Sequence, residues 1–170
     1  MKKLAGASLV IFLALSTVQV NAEVTQRDLQ VVARVLGFLE PPFTGETLLG
    51  IVYDPSSGRS SQQAENIRQL LGPGMQTGNM LLKPVMVPVR EAANAEVDLF
   101  FLTEYLDETG EYSGAKRLPC VTTDIEQVRR GACIVGIQSM PRIEIIVNKQ
   151  AAENSGVKFS SVFRMMIREI

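Results

Sequence analysis

Apolar residues recur at helical spacing soon after position 25, where Leu29, Val32, Ala33, Leu36 and Leu39 share one face. Thr25 precedes them with Asp28 three residues on, the spacing of a capping box with Asp in place of Glu. Gly37 weakens the last turn and Pro41-Pro42 stops the helix, because proline cannot continue the ladder. Residues 47–54 (TLLGIVYD) then read as a buried strand. A polar turn, Pro55 to Ser61, leads into a helix over 62–71 whose Ala64, Ile67, Leu70 and Leu71 face inward, and Gly72-Pro73-Gly74 ends it.

Residues 80–89 (MLLKPVMVPV) are apolar, but Pro84 and Pro88 remove ladder donors, which predicts an edge strand or a bulge. A short helical turn over 91–96 precedes 97–102 (VDLFFL), apolar on both faces as a central, covered strand is. The polar stretch 104–116 predicts a short helix interrupted by Gly110 and Gly114. A short strand over 118–122 follows, then a helix over 125–130, capped by Thr123 or Asp124 and ended by Gly131. Strands over 132–137 and 142–148 flank the turn at 138–141 as a hairpin. In the second of them Ile143, Ile145 and Val147 alternate with Arg142, Glu144 and Asn148, which predicts one solvated face. A short helix over 149–154 and a terminal helix capped by Ser160, with Phe159, Val162, Phe163, Met166 and Ile170 as its apolar stripe, complete the pattern.

Strand–helix alternation through the first three units predicts parallel pairing with right-handed crossovers. The fold expected is therefore α/β: a single three-layer domain with a mostly parallel mixed sheet, flanking helices and a C-terminal antiparallel hairpin. There is no internal repeat, low-complexity tract or linker.

The first 22 residues stand apart from this pattern. Lys2 and Lys3 form a positive start, Leu4 to Leu15 is an uncharged apolar run, and Val20-Asn21-Ala22 offers the small residues that signal peptidase accepts. A spanning helix needs about 20 apolar residues, more than this run provides. The expectation is a signal peptide over 1–22, cleaved after Ala22, and an exported α/β domain over 23–170 in the periplasm; an uncleaved anchor is the alternative. No Cys follows the apolar run, so a lipoprotein is not expected.

The remaining 148 residues suffice for one core without a metal or a disulfide framework. Loss of Lys2 and Lys3 leaves 15 basic groups against 18 acidic, a net charge of −3. Such a balance offers no footprint for nucleic acid. No second apolar stretch approaches membrane-spanning length, so no stable membrane insertion is expected after cleavage.

Histidine is absent, which excludes a Ser-His-Asp triad, a histidine base and a histidine-rich zinc site. GxSxG, Walker and GxGxxG motifs are absent too. Glu104, Asp107, Glu108 and Glu111 cluster, either as a carboxylate pair on one helix face or as a solvated face. Nothing nearby in sequence would desolvate them, so neither enzyme nor cofactor is expected.

Three polar or apolar groups remain as candidates. The turn containing Ser57, Gly58, Arg59, Ser60 and Ser61 follows a strand and opens a helix, where free N–H groups favour an anion or small ligand. Thr122 and Thr123, at the end of another strand, would border the same cleft; the plainer reading is a turn with Ser60 as N-cap. Phe38, Phe43, Phe159, Phe163, Met165 and Met166 form either core or a partner interface. Cys120 and Cys133 are either bridged, as an even pair in an oxidising compartment favours, or two buried thiols.

Several stretches carry a family resemblance. Leu36-Gly37-Phe38-Leu39-Glu40-Pro41-Pro42, followed by a strand into Asp54-Pro55, resembles the opening of YfiR-like periplasmic proteins. Val128-Arg129-Arg130-Gly131-Ala132-Cys133-Ile134 is similar, as is the close: Asn148, Ala151-Ala152, then Gly156-Val157-Lys158-Phe159-Ser160-Ser161 before an apolar end. The resemblance implies a non-enzymatic repressor that binds the periplasmic domain of an inner-membrane diguanylate cyclase or sensor, acting on cyclic-di-GMP signalling and biofilm formation. It also implies stabilisation by a cysteine bridge, here Cys120–Cys133, and allows a homodimer. The other reading of the residues is a small periplasmic solute-binding component of a transport or sensing system.

Overall fold

A computed structural model describes residues 23–104, 106 and 118–170. The signal peptide expected over 1–22, and nearly all of the helix expected over 104–116, lie outside them.

Eight strands form one mixed sheet in the order β2-β3-β1-β4-β5-β6-β7-β8. They are β1 (Gly45–Tyr53), β2 (Met75–Thr77), β3 (Met80–Pro88), β4 (Leu99–Leu102), β5 (Cys120–Thr122), β6 (Val135–Gln138), β7 (Glu144–Val147) and β8 (Arg168–Glu169). β1 pairs in parallel with β3 and β4, β4 with β5, β5 with β6, and β7 with β8. Among the described strands, only the β2–β3 and β6–β7 hairpins are antiparallel. The predicted α/β class, the mostly parallel sheet and the C-terminal hairpin all hold.

Helices cover both faces of this sheet. On one side α1 (Gln26–Leu36) and α2 (Gly58–Leu71) pack with Leu49, Ile51, Leu99 and Phe101; on the other, Ala92 of a 3-10 helix over Val89–Asn94 and Val128 of α3 (Ile125–Arg129) pack with Phe100 and Leu102. Strand side chains alternate between faces, so four consecutive apolar residues in β4 serve two cores. Phe100 and Phe101 are both fully buried, each worth roughly 1.5–3 kcal/mol of transfer free energy. Phe100 fits because β1 carries glycine opposite it: a Cβ on Gly50 would lie 3.0 Å from its ring.

Local sequence explains the element ends. Thr25 and Asp28 form the predicted capping box, and α1 ends with Gly37 as its C-cap, before it reaches the stop predicted at Pro41-Pro42. α2 starts earlier than predicted, at Gly58, because Ser57 rather than Ser60 is its N-cap. Asp124 caps α3, and Gly131 follows with a φ of 78°. α4 (Lys149–Ser155) is capped by Asn148. β3 is an edge strand only in part: β2 covers Met80 to Leu82, while Pro84 and Pro88 fall beyond it, where a missing donor costs no ladder bond on the open side.

Two expectations fail toward the C-terminus. The terminal helix, α5 (Ser161–Arg164), lasts a single turn, after which the chain becomes β8 and pairs with the outer edge of β7. Ile170 N donates to Val147 O at 2.9 Å and Lys149 N to Ile170 O at 3.0 Å. The unpaired edge of β7 thus outcompetes continuation of the helix, and Ser160 still caps the one turn that forms. β7 also lacks the predicted solvated face at its end. Ile146 and Val147 are both 2 % exposed, Ile146 packing into the core that holds Cys133 and Val128, while Ile143 is exposed.

Candidate functional site

The loop after β1 is built from its own hydrogen bonds. Asp54 N donates to Ser60 Oγ at 2.9 Å, and Ser61 Oγ donates to Asp54 O at 3.2 Å. Ser57 Oγ accepts from Ser60 N, while Asp54 Oδ1 accepts from Ser56 N and the Ser56 hydroxyl. Those hydroxyl and amide donors hold the Asp54 carboxyl below its usual range. Ser60 is completely buried, with its Oγ 2.7 Å from Thr103 Oγ1. Gly58 and Arg59 are exposed in the first turn of α2. The Ser60 hydroxyl is thus turned inward and the Ser57 and Ser61 hydroxyls bond the loop itself, while Arg59 stays on the surface and the Asp54 carboxylate stands beside them.

Thr122 is likewise committed to the fold. It is buried, its Oγ1 donating to Leu102 O at 2.9 Å and accepting from Asp124 N at 3.0 Å. Thr123 looks the other way, its hydroxyl 3.4 Å from Glu104 Oε1. It opens onto a different space from the Ser57–Ser61 loop.

That space is a cavity of about 300 Å³ at the C-terminal ends of β4, β5 and β6, closed on one side by the start of α1. Open α/β sheets gather ligands at this end of their strands. Glu104 and Thr123 enter just after β4 and β5, Ser139 just after β6, and Thr25 and Asp28 from α1 and its cap. Ile125, Ile137 and Met140 add apolar surface. Burial, and then the charge of Asp124, raise the pKa of Glu104, while the Thr123 hydroxyl opposes that shift. Gln63 fixes the backbone here, its Oε1 accepting from Glu104 N at 2.6 Å. Asp28 Oδ2 accepts from Thr25 N at 2.8 Å and from the Thr25 hydroxyl at 2.6 Å. Ser139 is 2 % exposed, and its hydroxyl has no partner among the described residues. Asp28 and Ser139 give no sequence signal for this site, because each reads locally as a cap or a turn.

The candidate interface divides into interior and surface. Phe163 is buried and stacks on Phe38 at 5.0 Å between ring centroids, with Phe159, also buried, 5.2 Å away on the same ring. Phe38 and Phe43 are partly buried against the same core. Met166 is exposed, and Val162, Met165 and Ile170 join it, Met165 at 80 %. Ile143, just ahead of β7, is exposed as well. Pairing of β8 with β7 makes this tail the outermost strand of the sheet, so Ile170 and the residues leading into β8 lie along its edge.

Cys120 and Cys133 form a disulfide with their Cα atoms 5.2 Å apart, fully buried in the core beside α3. Among the described residues no three Cys, Asp or Glu side chains converge to hold a metal, and no helix is long and apolar enough to cross a membrane. No family model matches this chain, and no curated protein matches it.

Proposed function

We propose that this chain is a non-enzymatic periplasmic regulator that binds and represses an inner-membrane diguanylate cyclase or sensor. The observation that carries the reading is the set of exposed apolar side chains, Val162, Met165, Met166 and Ile170, on the C-terminal tail that forms the edge of the sheet. Large apolar side chains gathered at a surface mark a protein contact, and methionine adapts to a partner's shape. The resemblance to YfiR-like proteins names the partner class, and the buried Cys120–Cys133 bridge suits an oxidising compartment. Cyclic-di-GMP in a strain lacking the gene tests this. It rises if the protein represses a cyclase, and an exported copy returns it to the parental level; an unchanged level under several growth conditions rejects the reading.

A second reading, a small solute-binding component of a transport or sensing system, is favoured by the cavity at the strand ends. It predicts ligand binding by the purified protein and no change in cyclic-di-GMP on deletion.

A further inference from the structure

Among the described residues, the lining of the cavity between α1 and the ends of β4, β5 and β6 carries one charge sign: Glu23, Asp28 and Glu104 contribute carboxylates, and no lysine or arginine is among them. An anion would be repelled by these carboxylates. A neutral ligand would strip water from the carboxylates without replacing it. A bare metal ion needs several oxygens in close convergence, an arrangement absent among the described residues.

Ser139 gives an independent sign that a partner is missing. Its side chain is buried, it lines the cavity, and its hydroxyl is unpaired among the described residues. Buried hydroxyls in folded proteins are nearly always paired with protein, water or ligand. Ile125, Ile137 and Met140 give the lining an apolar part that suits hydrocarbon.

We infer that this cavity binds a small organic cation, a protonated amine carried on a short apolar body. The ammonium meets Glu104 and Asp28 in charge-assisted hydrogen bonds, with the Ser139 or Thr123 hydroxyl as a further neutral partner. The hydrocarbon lies against Ile137 and Met140. A volume of about 300 Å³ is at the small end of ligand pockets and restricts the ligand to a compact molecule. Burial and Asp124 both disfavour ionisation of Glu104, and a bound cation opposes both effects. The inference is independent of what docks on the apolar edge.

Titration of the purified protein with n-pentylammonium, followed by ¹H–¹⁵N correlation spectra, tests it. 1-Pentanol serves as the neutral analogue and pentanoate as the anion, all at one ionic strength. Pentylammonium should give saturable shifts centred on the amides of Asp28, Thr123 and Ser139, at least about tenfold tighter than pentanol. Pentanoate should give none. Glu104→Gln should weaken the amine about tenfold while leaving the alcohol unchanged. Equal binding of amine and alcohol, shifts that never saturate, or undiminished amine binding by Glu104→Gln would each overturn the inference.

Discussion

The hydroxyl of Ser60, at the start of α2, lies 2.7 Å from that of Thr103, which follows β4. Thr103 Oγ1 donates to Val52 O at 2.9 Å, so the proton between the two hydroxyls belongs to Ser60. A chain of bonds then runs from Asp54 N through Ser60 and Thr103 to the carbonyl of Val52. It seals the gap between the ends of β1 and β4 and moves the open space along to the ends of β4, β5 and β6.

Thr103→Val keeps the shape and removes the acceptor of the Ser60 proton. The account predicts a loss of about 1–3 kcal/mol in urea unfolding, the cost of one unpaired buried hydroxyl. A loss below about 0.5 kcal/mol would mean that water reaches Ser60.

Glu104 links stability to pH. Its folded pKa is raised from 4.5 by burial and by Asp124, so the folded state binds its proton more tightly than the unfolded state does. The stability it contributes is full below the unfolded pKa and is lost as pH rises through the folded one. Glu104→Gln resembles the protonated form and should melt higher than the parent at neutral pH, with the gap closing below about pH 4.5. Melting curves at pH 4 and pH 7 check the sign, and a gap that widens on acidification contradicts it.

The Cys120–Cys133 bridge closes a loop with a sequence separation of 13 residues. Its removal should cost about 3 kcal/mol on the chain-entropy model. Paired Cys120→Ala and Cys133→Ala substitutions, compared with the parent by chemical denaturation, measure that cost. A parent insensitive to reductant and equal in stability to the double variant would remove the bridge from the account.

Gly136 allows α3 to lie close on β6. A Cβ there would fall 2.7 Å from Ile125 Cδ1 and 2.9 Å from Val128 Cγ2. Gly136→Ala should therefore destabilise by about 1–3 kcal/mol through overpacking. Because Ile125 also lines the cavity, the same variant should disturb the amide signal of Thr123.

Much of this fold is legible in the sequence because its signals are local. The Thr25–Asp28 box, the doubly apolar VDLFFL run and the Asp124 cap each act within a few residues, and the elements they predict form; the proline stop is not reached, because the first helix already ends at Gly37. What escapes reading depends on distant chain. The tail from Met165 carries a helical stripe, yet it becomes β8 because β7, whose paired residues lie 22 positions earlier, leaves an open edge. Ser60 reads as a ligand hydroxyl until Thr103 is brought to it from 43 residues away. The cavity draws Asp28, Glu104 and Ser139 from three separate segments, and only the sheet order places them together. Phe159 and Phe163 carry no mark in sequence that separates core from surface; a bridge from Leu39 holds Phe159 inward ahead of α5, and the single turn of α5 buries Phe163 while Val162, Met165 and Met166 stay exposed.

The central claim is that the apolar edge holds a cyclase in check. Met165→Asp with Met166→Asp alters side chains that are already largely in water, so the fold should be retained within about 0.5 kcal/mol. The most direct measurement is cyclic-di-GMP in a deletion strain carrying either the parent gene or this double variant, with equal amounts of exported protein. The account predicts that the parent restores the low level and the variant leaves it high. Equal repression by both, or no rise on deletion, would contradict it.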